Sequence, residues 1–212
     1  MIAIEKAKEG VIWGLTGGIA CGKSTVALQL QQLGARIIDC DLVSRELVEP
    51  GTPLLEKITE LFGSHILDKR GVLRRSYLGS IVFHDPDKLQ ALNELIHPAI
   101  WKRTFALAAQ ARLEVPLVFI MAPLLFEHGA EAACAGVLVV DISEKKQLAR
   151  LMSRNKLSKI EAQDRIRSQM SLAAKAERAT ILIDNNGTLK ALHRQVEQIW
   201  QERFAPIYGY GL

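Results

Sequence analysis

Gly14–Thr25 reads "GLTGGIACGKST". Gly17, Gly22, Lys23 and Ser24 fit the spacing G-x-x-x-x-G-K-[ST], which has a mechanism behind it. Glycines let the backbone turn through positive φ and approach a ligand with no Cβ in the way. Successive N–H groups across Gly17, Gly18, Ile19, Ala20, Cys21, Gly22, Lys23, Ser24 and Thr25 then face inward as an anion nest at a helix N-terminus. Lys23 brings a mobile charge to the β- and γ-phosphates, and the Ser24 hydroxyl offers itself to Mg²⁺. The flanks agree. "VIWGLT" before the loop is apolar, as a buried strand is. "TVALQLQQLG" after it puts Val26, Leu30 and Leu33 at helical spacing, with Gly34 as the stop. Strand, loop and helix together predict nucleoside triphosphate binding.

Working outward, five apolar runs read as strands: Val11–Thr16, Ala35–Asp39, Pro116–Met121, Gly136–Asp141 and Thr180–Asp184. "VIWGL", "PLVFIM" and "GVLVV" are apolar throughout rather than alternating, as strands covered on both faces require, so the sheet is expected to be parallel. Helical patterns between the runs make a doubly wound α/β sandwich, with ligands at the carboxyl ends of the strands. The interval Leu42–Val115 is far longer than one crossover helix needs and reads as a helical insertion. In it, "LLEKITELFG" is amphipathic and closes on Gly63, "ILDKRGVLRR" is a turn, and "DPDKLQALNELIHP" is a helix opened by Asp–Pro and stopped at Pro98. A second helical, basic stretch runs from Glu144 to Arg178. The tail "APIYGYGL" is too short and Gly-rich to predict an element.

The 212 residues suit a single α/β chain with a substantial core, and 49% apolar content is that of a folded globular protein. The net charge of +4 suits polyanionic ligands without choosing among them. No apolar run approaches the ~18 residues of a membrane span, and "MIAIEKAKEG" lacks a signal peptide's apolar core. Cys21, Cys40 and Cys134 have neither metal-ligand spacing nor a paired framework. A reduced cytoplasmic protein is the expectation.

A second constellation stands at "IIDCDLVSREL", where Asp39 and Asp41 end the second strand. One carboxylate there can organise Mg²⁺ through water, and one can deprotonate a hydroxyl nucleophile. An Asp that merely caps the next helix is the alternative. Function is favoured for Asp41, while Asp39 stays open between the two. His97 in "IHP", a lone His after an amphipathic helix, is more often a capping or packing residue than a catalyst. Glu127 in "APLLFEHG" is an acceptor contact or a surface acid. Arg150 and Arg154, one helical turn apart, repel each other slightly unless a phosphate comes between them. Arg154 is expected to stabilise transition-state charge once the basic stretch closes over ATP. Cys21, beside Lys23 and near a helix N-terminus, is expected to be a reactive thiol that ATP protects.

These segments together resemble the dephospho-coenzyme A kinases over about Val11–Trp200. "GLTGGIACGKST" is similar to the family's P-loop, which usually has Gly and Ser where Ala20 and Cys21 stand. "IIDCD" resembles its Asp-x-Asp, "VEPGTPLLEKITELFG", "GVLRRSYLGSIVFHDPDKLQALNELIHP" and "APLLFE" its acceptor-side segments, "QLARLMSRNKLSKIEAQDRIRSQM" its lid and "ILIDNNG" its final strand. The resemblance implies a P-loop kinase with a five-stranded parallel sheet. Its core would cover about 11–48, 115–143 and 179–204, a helical coenzyme A subdomain about 49–114, and a helical lid about 144–178. It also implies ATP as phosphoryl donor, Mg²⁺ on Ser24 and Asp41, and dephospho-coenzyme A as acceptor, in a monomer or weak homo-oligomer without nucleic acid or membrane. Asp41 would be the base, Lys23 and Arg154 would join it in catalysis, and Arg150 would lie on the lid. Arg75, His97, Glu127 and Gln169 would lie near the acceptor, and Asn185 near the nucleotide base. Thr180 departs from the family, which commonly has Asp there.

The rival enzyme is another P-loop kinase, acting on a nucleoside monophosphate or small metabolite. A GTP switch would need Asn-Lys-x-Asp, and "NKLS" has Ser158 in place of the Asp. A scaffold without chemistry would have no use for intact Lys23, Ser24 and Asp41.

Overall fold

The computed structural model describes residues 10–83 and 85–208. The first nine residues and the last four of the tail lie outside the described residues, so the reading of the N-terminus is not taken further. The chain divides into two compact units, one built from the residues up to Ile38 with those from Ala108 onward, the other from Asp39–Leu107.

The sheet has five parallel strands: β1 (Val11–Gly17), β2 (Arg36–Asp39), β3 (Leu117–Met121), β4 (Val137–Asp141) and β5 (Ile181–Asp184), in spatial order β2-β3-β1-β4-β5. Gly14 stands opposite Ile120 of β3 on one side and Val137 of β4 on the other. β3 is buried at every residue and β4 at all but Asp141, as their unbroken apolar runs require. β5, at an edge, alternates instead, with Leu182 and Asp184 exposed. All five strands were legible to within a residue of their ends.

Behind the sheet, α1 (Lys23–Gln32) buries Val26, Ala27 and Leu30, and α9 (Leu189–Ile199) buries Leu192 and Val196. The C-terminal end of this layer was not foreseen. A π-helical turn, Trp200–Phe204, leads into α10 (Ala205–Tyr208). Phe204 is fully buried and meets Trp13 edge-on at 5.0 Å and Phe119 at 5.5 Å. Trp13 Nε1 donates to the Tyr208 hydroxyl at 3.0 Å. "APIY" is therefore an element after all, because two aromatic rings and an indole hydrogen bond supply the burial that so short a helix lacks by itself.

The second unit has its own core, with Leu54, Leu55, Ile58, Ile66, Leu78 and Leu92 buried together. Its helices are α2 (Cys40–Glu46), α3 (Pro53–Phe62), α4 (Arg75–Val82) and most of α5 (Pro86–Ala111). "ILDKRGVLRR" is the expected turn: Leu67 bridges Leu73, and the Asp68 carboxylate accepts from the Arg70 and Val72 N–H groups. Those two bonds hold the Asp68 carboxyl below its usual range. The stop expected at Pro98 is corrected. α5 runs straight through it. Pro98 is exposed, so water can serve the Glu94 carbonyl that loses its donor, while Leu92, Leu95, Ile96 and Ala99 keep the apolar face continuous past the proline. His97 accordingly lies inside a helix rather than after one.

The basic stretch folds as three short helices, α6 (Glu144–Asn155), α7 (Lys159–Arg167) and α8 (Leu172–Glu177). α7 opens with a capping box between Ser158 and Glu161. "NKLS" is thus a turn and a cap. Thr180, the departure from the family pattern, has a structural duty: its Oγ1 accepts the Val137 N–H at 3.0 Å, at the start of β4.

Candidate active site

The phosphate loop leaves the carboxyl end of β1, the central strand, and runs into α1 with Gly22 as the capping residue. Gly17 and Gly22 stand at φ 147° and 104°, and a Cβ would come within 2.5 Å of the Val140 carbonyl at the first and 2.3 Å of Asn185 Nδ2 at the second. Both the conformation and the space therefore demand glycine. Ala20 is also left-handed, at φ 61°, and it carries a Cβ there. Such a residue persists only where its surroundings fix it.

Three side chains from distant elements supply that fixing. Asn185, buried just after β5, donates Nδ2 to the Cys21 carbonyl at 2.7 Å. Gln147, in the first turn of α6, donates Nε2 to the Ile19 carbonyl at 2.9 Å. Gln169, between α7 and α8, accepts the Ile19 N–H on Oε1 at 2.9 Å. Lys23 Nζ lies over the curve of the loop, donating to the Gly17 and Gly18 carbonyls at 3.0 and 2.9 Å. Ser24 is exposed in the first turn of α1. Arg150 Nη1 reaches to 3.8 Å of where a Cβ on Gly22 would stand. Arg154 is exposed in the last turn of α6, its Nε donating to Asn155.

Cys21 corrects an expectation. Its side chain is fully buried in the main core, and its Sγ would lie 2.6 Å from a Cβ on Gly17. It fills the underside of the loop with no surface exposed to solvent. The thiol faces inward, with Lys23 Nζ 3.9 Å from its Sγ. Cys40 is also buried, with its Sγ 3.6 Å from the Thr104 hydroxyl. The Cys134 thiol is pushed up to about 11 by burial and by the nearby Glu131 carboxylate.

Glu127 and Gln169 have partners other than the acceptor contacts expected of them. The Glu127 carboxylate accepts the Met170 N–H at 2.8 Å and pairs with Lys175 Nζ at 2.9 Å. Lys175 has no exposed side-chain surface and also donates to the Pro123 carbonyl beyond β3. Burial pushes its ammonium below the usual lysine range, Glu127 opposes that, and the charge of Lys23 adds to it. Lys175 was not singled out in the sequence, and Gln147, which stands in the lid pattern with Arg150 and Arg154, was given no role there. Lys175 had a faint signal: it follows Leu172 by three residues, so a cation shares a helix face with a buried leucine.

The remaining candidates belong to the second unit. Asp39 caps α2, its carboxylate accepting the Asp41 N–H at 2.8 Å, as the capping reading of its position has it. Asp41 is exposed in the first turn of the same helix. Arg75 begins α4, with Nη2 3.5 Å from the Arg45 carbonyl. His97 shares a shallow hollow of about 410 Å³ with Leu89, Asn93 and Pro98.

A phosphate loop after the central strand of a 2-3-1-4-5 parallel sheet is a kinase arrangement, and the comparisons narrow it. The family model for dephospho-CoA kinase matches residues 11–191. The chain belongs to the dephospho-CoA kinase family. It is an enzyme, a kinase that uses ATP and dephospho-CoA in coenzyme A synthesis. A dephospho-CoA kinase of Geobacter metallireducens is 45% identical over 194 residues, covering 91% of this chain and 96% of the relative. Among solved structures, a Thermus thermophilus protein shares 36% identity with a TM-score of 0.77, over 92% of this chain and 99% of its own. A dephospho-CoA kinase from Campylobacter jejuni shares 27% identity at TM-score 0.66, over 92% and 97%.

Proposed function

We propose that the chain transfers the γ-phosphoryl group of ATP to the ribose 3′-hydroxyl of dephospho-CoA, with the phosphate loop as donor site and Asp41 as base. The observation that carries the donor site is Lys23 lying over a glycine-turned loop at the N-terminus of α1. The loop N–H groups and the helix dipole stabilise the phosphates. Lys23 exchanges its two loop carbonyls for phosphate oxygens, and Arg150 and Arg154 add charge from the lid, residues 144–178. Asp41 takes the proton of the acceptor hydroxyl as its oxygen bonds to the γ-phosphorus. The bond from that phosphorus to the β–γ bridging oxygen breaks, and ADP leaves with the electron pair.

Mg²⁺ fits this site. Among the described residues no cluster of three acidic, His or Cys side chains could cage a metal, and Mg²⁺ ordinarily takes one or two protein ligands with phosphates and water. Ser24 and Asp41, the latter through water, would hold it, and it would neutralise charge on the β- and γ-phosphates. Asn185 reaches the nucleotide side through the loop it pins. The helical unit, about 49–114, serves the acceptor and carries Arg75 and His97, while Gln169 and Glu127 are engaged with the phosphate loop and with Lys175. No helix among the described residues is long and apolar enough to cross a membrane. A cytoplasmic monomer or weak homo-oligomer remains part of the proposal.

The test is ADP release over a panel of acceptors: dephospho-CoA, nucleoside monophosphates and shikimate. Turnover with dephospho-CoA alone is expected. Equal or faster turnover with another acceptor would overturn the assignment.

A further inference from the structure

Ile19 is gripped on both polar groups of its backbone. Its carbonyl accepts from Gln147 and its N–H donates to Gln169, each at 2.9 Å. The two glutamines come from different elements, one from α6 and one from the segment joining α7 to α8. Gln147 is 3% exposed, so its amide is a buried group committed to this contact. The grip is itself anchored. Met170, next to Gln169, donates its N–H to Glu127, Glu127 pairs with buried Lys175, and Lys175 donates to the Pro123 carbonyl. Pro123 adjoins Ala122, whose carbonyl accepts the Thr16 hydroxyl of β1 at 2.7 Å. The path therefore starts on the strand that feeds the phosphate loop and returns to the loop itself. Directly after the gripped residue comes Ala20 in its left-handed conformation.

We infer that Gln147 and Gln169 are positioning residues for ATP: a two-sided amide clamp that sets the curvature of the phosphate loop from the base of the lid. Without it the Ile19–Ala20 linkage relaxes toward ordinary φ, which costs a non-glycine residue less, and the following N–H groups no longer converge on the phosphates. Each glutamine acts on the nucleotide through the loop backbone, so its loss weakens ATP binding and leaves the acceptor side alone. The inference rests on the phosphate loop being the ATP site.

The experiment uses the full chain with Gln147→Met and Gln169→Met, which keep side-chain length and remove the amide. MgATP is titrated without acceptor, KM is measured for ATP and for dephospho-CoA, and exchange of the Ile19 amide hydrogen is followed in the nucleotide-free protein. One net hydrogen bond corresponds to a weakening of about threefold to tenfold. That loss is expected for ATP in each variant, with KM for dephospho-CoA within about twofold of wild type. Faster Ile19 exchange is expected in Gln169→Met. The double variant should lose little more than either single one, since releasing one of the two peptide groups that flank the Ile19 Cα already frees the residue to turn. Lower melting temperature with unchanged ATP affinity would make the glutamines structural and overturn the clamp. Lys23→Met, run in parallel, separates the two levels. If it loses ATP while both glutamine variants keep it, the clamp alone falls. If it keeps ATP too, the proposed donor site falls and takes the clamp with it.

Discussion

Asp39 and Asp41 stand two residues apart, yet substituting them should give opposite phenotypes. Asp39 has extended backbone, φ −89° and ψ 111°, and its carboxylate closes the first turn of α2 on the Asp41 N–H. α2 has seven residues, too few to hold helical form without a cap or packing. Asp39→Ala removes the cap, at about 1 kcal/mol. In a chain of 212 residues that lowers Tm by about 2–4 °C. Asp39→Asn keeps a capping oxygen of equal rank and loses only the charge at the helix N-terminus, about 0.3 kcal/mol where exposed, or roughly 1 °C. Asp41 gives the cap its backbone N–H and not its side chain, so Asp41→Asn leaves the cap whole. It does remove the proposed base, and turnover should fall by about 10²–10⁴. ATP and dephospho-CoA affinities should change by less than about tenfold, 1.4 kcal/mol. Steady-state kinetics and thermal melts on the three variants check all of this. Near wild-type turnover in Asp41→Asn, or loss of turnover in Asp39→Asn at unchanged Tm, would refute the division of labour.

Arg154→Ala should lower kcat by about 10²-fold, the scale of losing one preorganised cation at a transferring group, with ATP affinity changed far less. Equal losses in single-turnover rate and ATP binding would reduce Arg154 to a ground-state phosphate contact. Lys175→Met leaves the Glu127 carboxylate, 20% exposed, without its cation, and should destabilise by about 3 kcal/mol, discounted from the fully buried case. Adding Glu127→Gln should return most of the loss, and a double variant as unstable as the single one would show that packing of the lysine stem, not charge, is at stake. Iodoacetamide at pH 7.5 should label the native protein slowly and leave activity intact, because Cys21 and Cys40 are buried and the Cys134 thiol titrates at about 11. Rapid labelling of Cys21 by mass spectrometry would contradict its burial. The Cys134 shift also has a sign: its folded value lies above the unfolded 9.0, so the associated stability is complete below pH 9 and is lost as pH rises through 11. Cys134→Ala should flatten that loss in alkaline melts.

The strands, the phosphate loop and most helices were legible because their causes are local. Unbroken apolar runs such as "PLVFIM" cannot be half-exposed, and a Gly-Lys-Ser after one of them has few other uses. The helix stop at Pro98 failed for the opposite reason. Proline's penalty is local, while the apolar face that outweighs it, from Leu92 to Ala99, is rewarded only by packing in the second core. The tail failed likewise, since Phe204 and Tyr208 owe their order to Trp13, across the whole chain. The site divides along the same line. Gly17, Gly22, Lys23 and Ser24 could be read because the loop's function is written in consecutive residues. What bends the loop could not: Gln147 and Gln169 reach Ile19 across 128 and 150 residues, and Lys175 meets Glu127 across 48. A glutamine in a basic helix looks like any solvated glutamine until the fold brings a backbone carbonyl to it. Glycine makes the curve of a phosphate loop accessible, but permits many other curves as well. Selecting one of them takes donors and acceptors from outside the motif, and here Asn185, Gln147 and Gln169 provide them on the Cys21 and Ile19 backbone groups.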